Sequence, residues 1–234
     1  ELDCFRMVAT ELGLIEKSAD VFARHPLVYL MEAADDICYQ VMDIEDAHKL
    51  KILGIEEVTT LLTGFFNPER CRHITGVLDN IDDDNEKVAY LRSCVVGELV
   101  GECAKVFVDN EECILNGEFE GCLIDHISPV ARNGYAECSR TAWRKIYNSP
   151  DVVDIELAGN QIITFLLDRL IDAVLLPEKN YSRLLLSRIP HQYDTSSTTT
   201  YGKIQSVLDH ISGMTDVYAL DLFRKLNGLS LPAV

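Results

Sequence analysis

Helical spacing runs through nearly the whole chain, and the segment from Arg24 to Leu50 shows it most clearly. On a wheel of about 100° per residue, Leu30, Ala34, Ile37, Val41 and Ile44 form one apolar stripe. Pro26 suits the first turn of such a helix, and the pattern stops near Gly54. Alternating β-branched runs, which a half-buried strand requires, are few. With 13 Gly and 7 Pro in 234 residues, breakers are sparse enough for long helices. The fold class this predicts is all-α, a multi-helix bundle.

Further helices are expected from Glu56 to Leu62 and from Pro68 to about Leu78. The acidic string Asp82-Asp83-Asp84-Asn85-Glu86 precedes a long periodic segment reaching about Val108. Acid at a helix N-terminus is favoured by the dipole, so the string reads as a cap and a solvated turn. It lacks the Gly and the closing Glu of a calcium loop. Glu111 to Asp125 reads as broken helix bending at Gly117 and Gly121. Helical patterns resume from about Arg132 to Tyr147, and again after the turn Asn148-Ser149-Pro150-Asp151 as far as about Leu176. Shorter ones come over Ser182 to Ile189 and Tyr201 to Ser212, and a last one, capped by Thr215 or Asp216, ends near Gly228. No internal repeat is visible.

Charge and apolar runs exclude whole classes. Asp and Glu number 38 against 21 Lys and Arg, a formal net charge of −17. A surface that acidic opposes sequence-independent binding to nucleic acid. The longest strongly apolar stretch, Ile162 to Leu176, is interrupted by Asp168, Arg169 and Asp172, so no membrane span is expected. The eight cysteines form no CxxC pair, and most lie in apolar helical contexts. They read as reduced, buried small hydrophobes of a cytoplasmic protein.

The helix beginning at Pro26 also carries the polar groups worth weighing. Asp35, Tyr39 and Asp43 recur at i, i+4 and i+8, roughly opposite the apolar stripe, with Glu32 on the same side. Met31, Cys38 and Met42 flank them, so the helix is apolar around much of its circumference and is expected to be largely buried. A buried carboxylate needs a cation or several donors. Two readings stay open on spacing alone: a solvated acidic face, or oxygen ligands suited to a hard divalent cation.

Three stretches decide between them by resemblance. The first comprises Arg24-His25-Pro26-Leu27, Glu32-Ala33-Ala34-Asp35-Asp36-Ile37 and Asp43-Ile44-Glu45-Asp46. The second is Glu178-Lys179-Asn180-Tyr181-Ser182-Arg183-Leu184. The third is Ile211-Ser212-Gly213-Met214-Thr215-Asp216 with Tyr218-Ala219-Leu220. In this order they resemble the C-terminal half of the dGTPase-type deoxynucleoside triphosphate triphosphohydrolases, of the HD-domain superfamily. The resemblance covers residues 24–224. It implies metal-dependent hydrolysis of a dNTP, dGTP favoured, to the deoxynucleoside and inorganic triphosphate. It also implies that Asp35 is a ligand of a divalent cation, magnesium or manganese. Tyr39 would lie under the deoxyribose, where a ring leaves no room for a 2′-hydroxyl, and Asp43 would accept from the 3′-hydroxyl. Glu156 would sit near the base, where a carboxylate can accept from a guanine edge; otherwise it is a helix-surface Glu. Residues 24–50 would form the active-site helix, and residues 51–234 a helical region with nucleotide-facing and oligomer-forming helices. A homo-oligomer, dimer or hexamer, is expected by resemblance alone.

The sequence departs from that family in its metal ligands and in the upstream basic residues expected to hold the triphosphate, which are absent. Its metal is held by a His, a His-Asp pair and the later Asp, yet none of the six histidines here precedes an Asp. His25, ahead of a helix, reads as a capping or packing residue. The expectation is therefore that a missing N-terminal segment supplies the other ligands and the catalytic residues, and that this fragment alone is inactive. The alternative is a non-catalytic helical scaffold or regulatory module serving assembly. An isoprenoid synthase is disfavoured because its acidic motif needs an acid at i+4, where Tyr39 stands, and no second acidic motif occurs.

Overall fold

In a computed structural model describing residues 2–230, polar side chains cap the starts of five helices. The His25 Nδ1 accepts from the Leu27 N–H at 3.2 Å to open α2 (Pro26–Lys49), as a capping residue should. Asn67 opens α4 (Pro68–Leu78) by accepting from the Arg70 N–H at 2.9 Å. Asp83, inside the acidic string, opens α5 (Asp84–Asp109) by accepting from the Glu86 N–H at 2.9 Å. Thr199 caps α10 (Thr200–Ser212) and Thr215 caps α11 (Asp216–Leu226) in the same way.

The chain divides into two compact units between Ser149 and Pro150. The first also holds α1 (Leu2–Glu11), α3 (Ile55–Thr63), α6 (Glu111–Leu115) and α7 (Pro129–Thr141). Between α6 and α7 the bend passes Gly117 and Gly121 and a single 3₁₀ turn, Leu123–His126, so the broken-helix reading holds. The second unit holds α8 (Pro150–Leu175), α9 (Asn180–Leu186), α10 and α11. The all-α class is borne out, with one addition. Glu16–Ser18 (β1) and Val21–Phe22 (β2) form a small antiparallel hairpin, turning at Asp20 with φ 62°. Strands of three and two residues are too short for alternation to reveal.

α2 packs mainly along α5. Ile37, Val41 and Ile44 are buried with Val88, Leu91, Val95 and Leu99 in one core that takes in α3, α4 and α7. Each such side chain contributes about 1.5–3 kcal/mol on leaving water. The expected stripe is corrected at its N-terminal end: Leu30 and Ala34 are exposed, and Tyr29 and Ala33 are buried in their place. The reason is the Tyr29 ring. It meets Phe119 edge-on at 5.3 Å and donates its hydroxyl to the Phe119 carbonyl at 2.9 Å, which turns that face inward.

A buried ion pair ties the C-terminal half of α2 to α5. Arg92 Nη1 donates to Glu45 Oε2 at 2.7 Å, and Lys49 Nζ lies 2.9 Å from Glu45 Oε1. Burial alone would raise the Glu45 pKa. The hydrogen bond from Lys49 and the charge and hydrogen bond of Arg92 outweigh it and hold the carboxyl below its ordinary value. At Gly134 of α7 a methyl group would sit 2.9 Å from Phe65 Cγ, so that crossing needs glycine. In the second unit the core is Leu170, Ala173 and Val174 of α8 against Leu185, Ile189 and Val207.

All eight cysteines are free. Cys103 and Cys138 are buried as expected, but Cys4, Cys38 and Cys113 are exposed, which corrects the reading of them as buried small hydrophobes. Among the described residues no helix is long and apolar enough to cross a membrane.

Candidate functional site

α2 sets Asp35, Tyr39 and Asp43 in one column, one turn apart. Asp35 points outward and has no hydrogen bond or ion pair among the described residues. Tyr39 is 63% exposed. The expectation of a largely buried helix is thereby corrected. One face packs in the core; the opposite face is apolar yet bare, with Leu27, Leu30, Met31, Cys38 and Met42 exposed around Asp35 and Tyr39. A stripe of that kind is unusual on an ordinary solvated face.

Asp43 is half-buried and accepts a hydrogen bond from the Tyr147 hydroxyl, a group 104 residues further along the chain. Burial raises the Tyr147 pKa most, then its bond to Asp43 and the neighbouring Tyr39. The phenol therefore stays protonated and donates at any ordinary pH. Sequence reasoning missed Tyr147 because it is one of nine tyrosines and ends a helix with no distinguishing spacing. It reaches Asp43 through the turn before it. Residues Ala142–Ile146 form a π-helical turn, which widens the helix and resets the direction of the chain beyond it.

Toward the N-terminal end of the column the field is acidic. Asp36 is raised above the usual carboxylate range by burial first, then by the charges of Asp35, Glu32 and Asp125. Arg24 offsets part of this. It pairs with Glu32 at 2.9 Å, donates to the Gly121 carbonyl at 3.3 Å, and stands 5.6 Å above the Tyr29 ring. Uncompensated carboxylates on one side of a helix favour a cation beside Asp35. A metal centre needs several ligands, however, and no group of three His, Cys, Asp or Glu among the described residues could hold one. The described residues do not make a metal site by themselves; Asp35 offers one free carboxylate. Glu156 lies in the other unit, exposed on the first turns of α8.

The comparisons with known proteins agree with this picture. Residues 126–225 of this all-α chain match the phosphohydrolase-associated domain family. The particular resemblance is closer still. A deoxyguanosinetriphosphate triphosphohydrolase-like protein of Pseudomonas aeruginosa is 30% identical over 241 residues, covering 100% of this chain and 54% of the relative. One from Synechocystis is 32% identical over 99% of this chain and 51% of its own length. The deoxyguanosinetriphosphate triphosphohydrolase of Serratia proteamaculans is 30% identical over 88% of this chain and 49% of its own length. The motif-based resemblance is thus borne out: the chain is similar, over 88% to 100% of its length, to the C-terminal half of these proteins. It spans about half the length of the curated relatives it matches.

Proposed function

We propose that this chain is the substrate-facing helical part of a divalent-metal-dependent deoxynucleoside triphosphate triphosphohydrolase, with dGTP the favoured substrate. The observation that carries the reading is the column on α2. It holds a free carboxylate, an exposed aromatic ring and a second carboxylate oriented by Tyr147, all set in an apolar face that nothing in the described chain covers. A preceding segment, of which the relatives' length leaves room for some 200 residues by the covered fraction, would pack on that face and bring the His and His-Asp ligands to Asp35.

The residues then have separate tasks. Asp35 would be one ligand of the cation, magnesium or manganese; when bound, the cation lowers the pKa of its water and neutralises phosphate charge. Tyr39 presents a flat ring under the deoxyribose and crowds out a 2′-hydroxyl. Asp43, held in one rotamer by Tyr147, accepts from the 3′-hydroxyl. Glu156 accepts from the base edge. A charge of −17 opposes a tetra-anionic nucleotide, so the preceding segment would also supply the cations facing the triphosphate. The assembled protein is cytoplasmic and a homo-oligomer.

The test is to incubate the parent protein with each dNTP, and with GTP, in magnesium or manganese. Inorganic triphosphate should be released from dNTPs, most rapidly from dGTP. Its absence with every dNTP would overturn the proposal and leave a helical assembly module.

A further inference from the structure

The proposed reaction makes no use of the Ile211–Asp216 motif, yet that motif borders a hollow. In the second unit the end of α10, the turn leading to α11 and the chain near Pro190 border an open hollow of about 410 Å³. Small-molecule sites fall in this size range. Tyr193, Tyr218, Met214, the exposed Gln192 and the buried His210 are among the residues that line it.

His210 is the unusual member. It is 4% exposed, its ring tilted against that of Tyr193 at 5.1 Å and 53°. The ring nitrogens make no hydrogen bond among the described residues, and they are not among the side-chain atoms sealed from solvent, so they stay open to a ligand. Burial lowers its pKa, so the imidazole is neutral and offers one N–H donor and one lone pair. No Asp, Glu, Lys or Arg lines the hollow, so neither a phosphate nor a metal ion finds its counter-charge there. Aromatic walls, a thioether, one carboxamide and one accessible neutral imidazole match a flat, uncharged ring with donor and acceptor groups on its edge.

We propose that this hollow binds the base of an uncharged nucleoside, with His210 hydrogen-bonded to the base edge and the tyrosine rings against its faces. The choice of a deoxynucleoside as ligand rests on the proposed function, since it is the product of that reaction; the site would let the protein sense product while ignoring the charged substrate.

The experiment tracks the His210 imidazole resonances by ¹⁵N-histidine NMR on the whole chain during titration with deoxyguanosine and, in parallel, with dGTP. Deoxyguanosine should move the His210 signals saturably, with dGTP weaker by roughly tenfold or more for want of a cation. His210→Phe, which keeps a ring in place, should abolish deoxyguanosine binding measured by calorimetry. Gln192→Ala, at an exposed rim position, should weaken it and serves if His210→Phe fails to fold. Unmoved His210 signals up to the solubility limit of deoxyguanosine, deoxyadenosine and deoxycytidine would overturn the proposal. So would dGTP binding there as tightly as the nucleoside. The readout is binding, so it stands or falls separately from triphosphate release.

Discussion

Asp35→Asn separates a functional carboxylate from a structural one. The side chain is exposed and has no partner among the described residues, so nothing in the packing depends on its charge. Stability should change by no more than about 0.5 kcal/mol, a shift of about 1–2 °C in Tm for a chain of this size. The direction should be upward if any, because one like charge leaves the group formed with Glu32, Asp36 and Asp125. The same change gives an internal check on the geometry. Asp36 is raised first by burial and then by Asp35, so its carboxyl should titrate at lower pH in the variant, read by NMR of the side-chain carbon. Triphosphate release by the parent protein should fall by about a hundredfold or more, since losing even the outer partners of metal ligands costs 10–100-fold. Full release from a folded Asp35→Asn protein would remove Asp35 from the metal site. A collapse of the fold would show that the carboxyl is bound up in the packing after all.

Three further outcomes are expected. Tyr39→Ala, at an exposed position, should leave Tm nearly unchanged and raise the rate with GTP relative to dGTP; unchanged rejection of GTP would count against the ring beneath the sugar. Arg92→Ala should destabilise the first unit by about 1–2 kcal/mol at neutral pH, less than for a fully buried pair because Lys49 remains and Arg92 is partly exposed. The Glu45 carboxyl is held below its unfolded value, so its stabilisation is present above that value and is lost as pH falls through the folded one. The variant should therefore unfold at a higher pH in an acid titration monitored by circular dichroism. Gly134→Ala should cost about 1–3 kcal/mol of stability by pushing against Phe65, whereas Gly76→Ala on α4, with open space around it, should not lower Tm.

The site was legible in part because its column is a local property. Asp35, Tyr39 and Asp43 share a face of any α-helix that spans them, and spacing is enough to say so. What lies opposite that face is not local. Whether it is wet, buried or bare depends on which other elements arrive, and here α5 and α7 take one side of α2 while nothing described takes the other. Tyr147 shows the same limit: its bond to Asp43 spans 104 residues and passes through a π-helical turn that no periodicity announces.

The amino-acid order alone settled the all-α class, the approximate helix starts at Pro26, at the acidic string and at Thr215 or Asp216, and the resemblance carried by three ordered motifs, because caps, apolar spacing and motifs are read within a few turns of chain. Tertiary structure alone decided that Tyr29 rather than Leu30 turns inward, that Glu45 is buried against Arg92, and that the buried His210 lines a hollow. Those outcomes rest on contacts between distant segments, where shape and hydrogen-bond partners select one of several faces that the local pattern leaves equivalent.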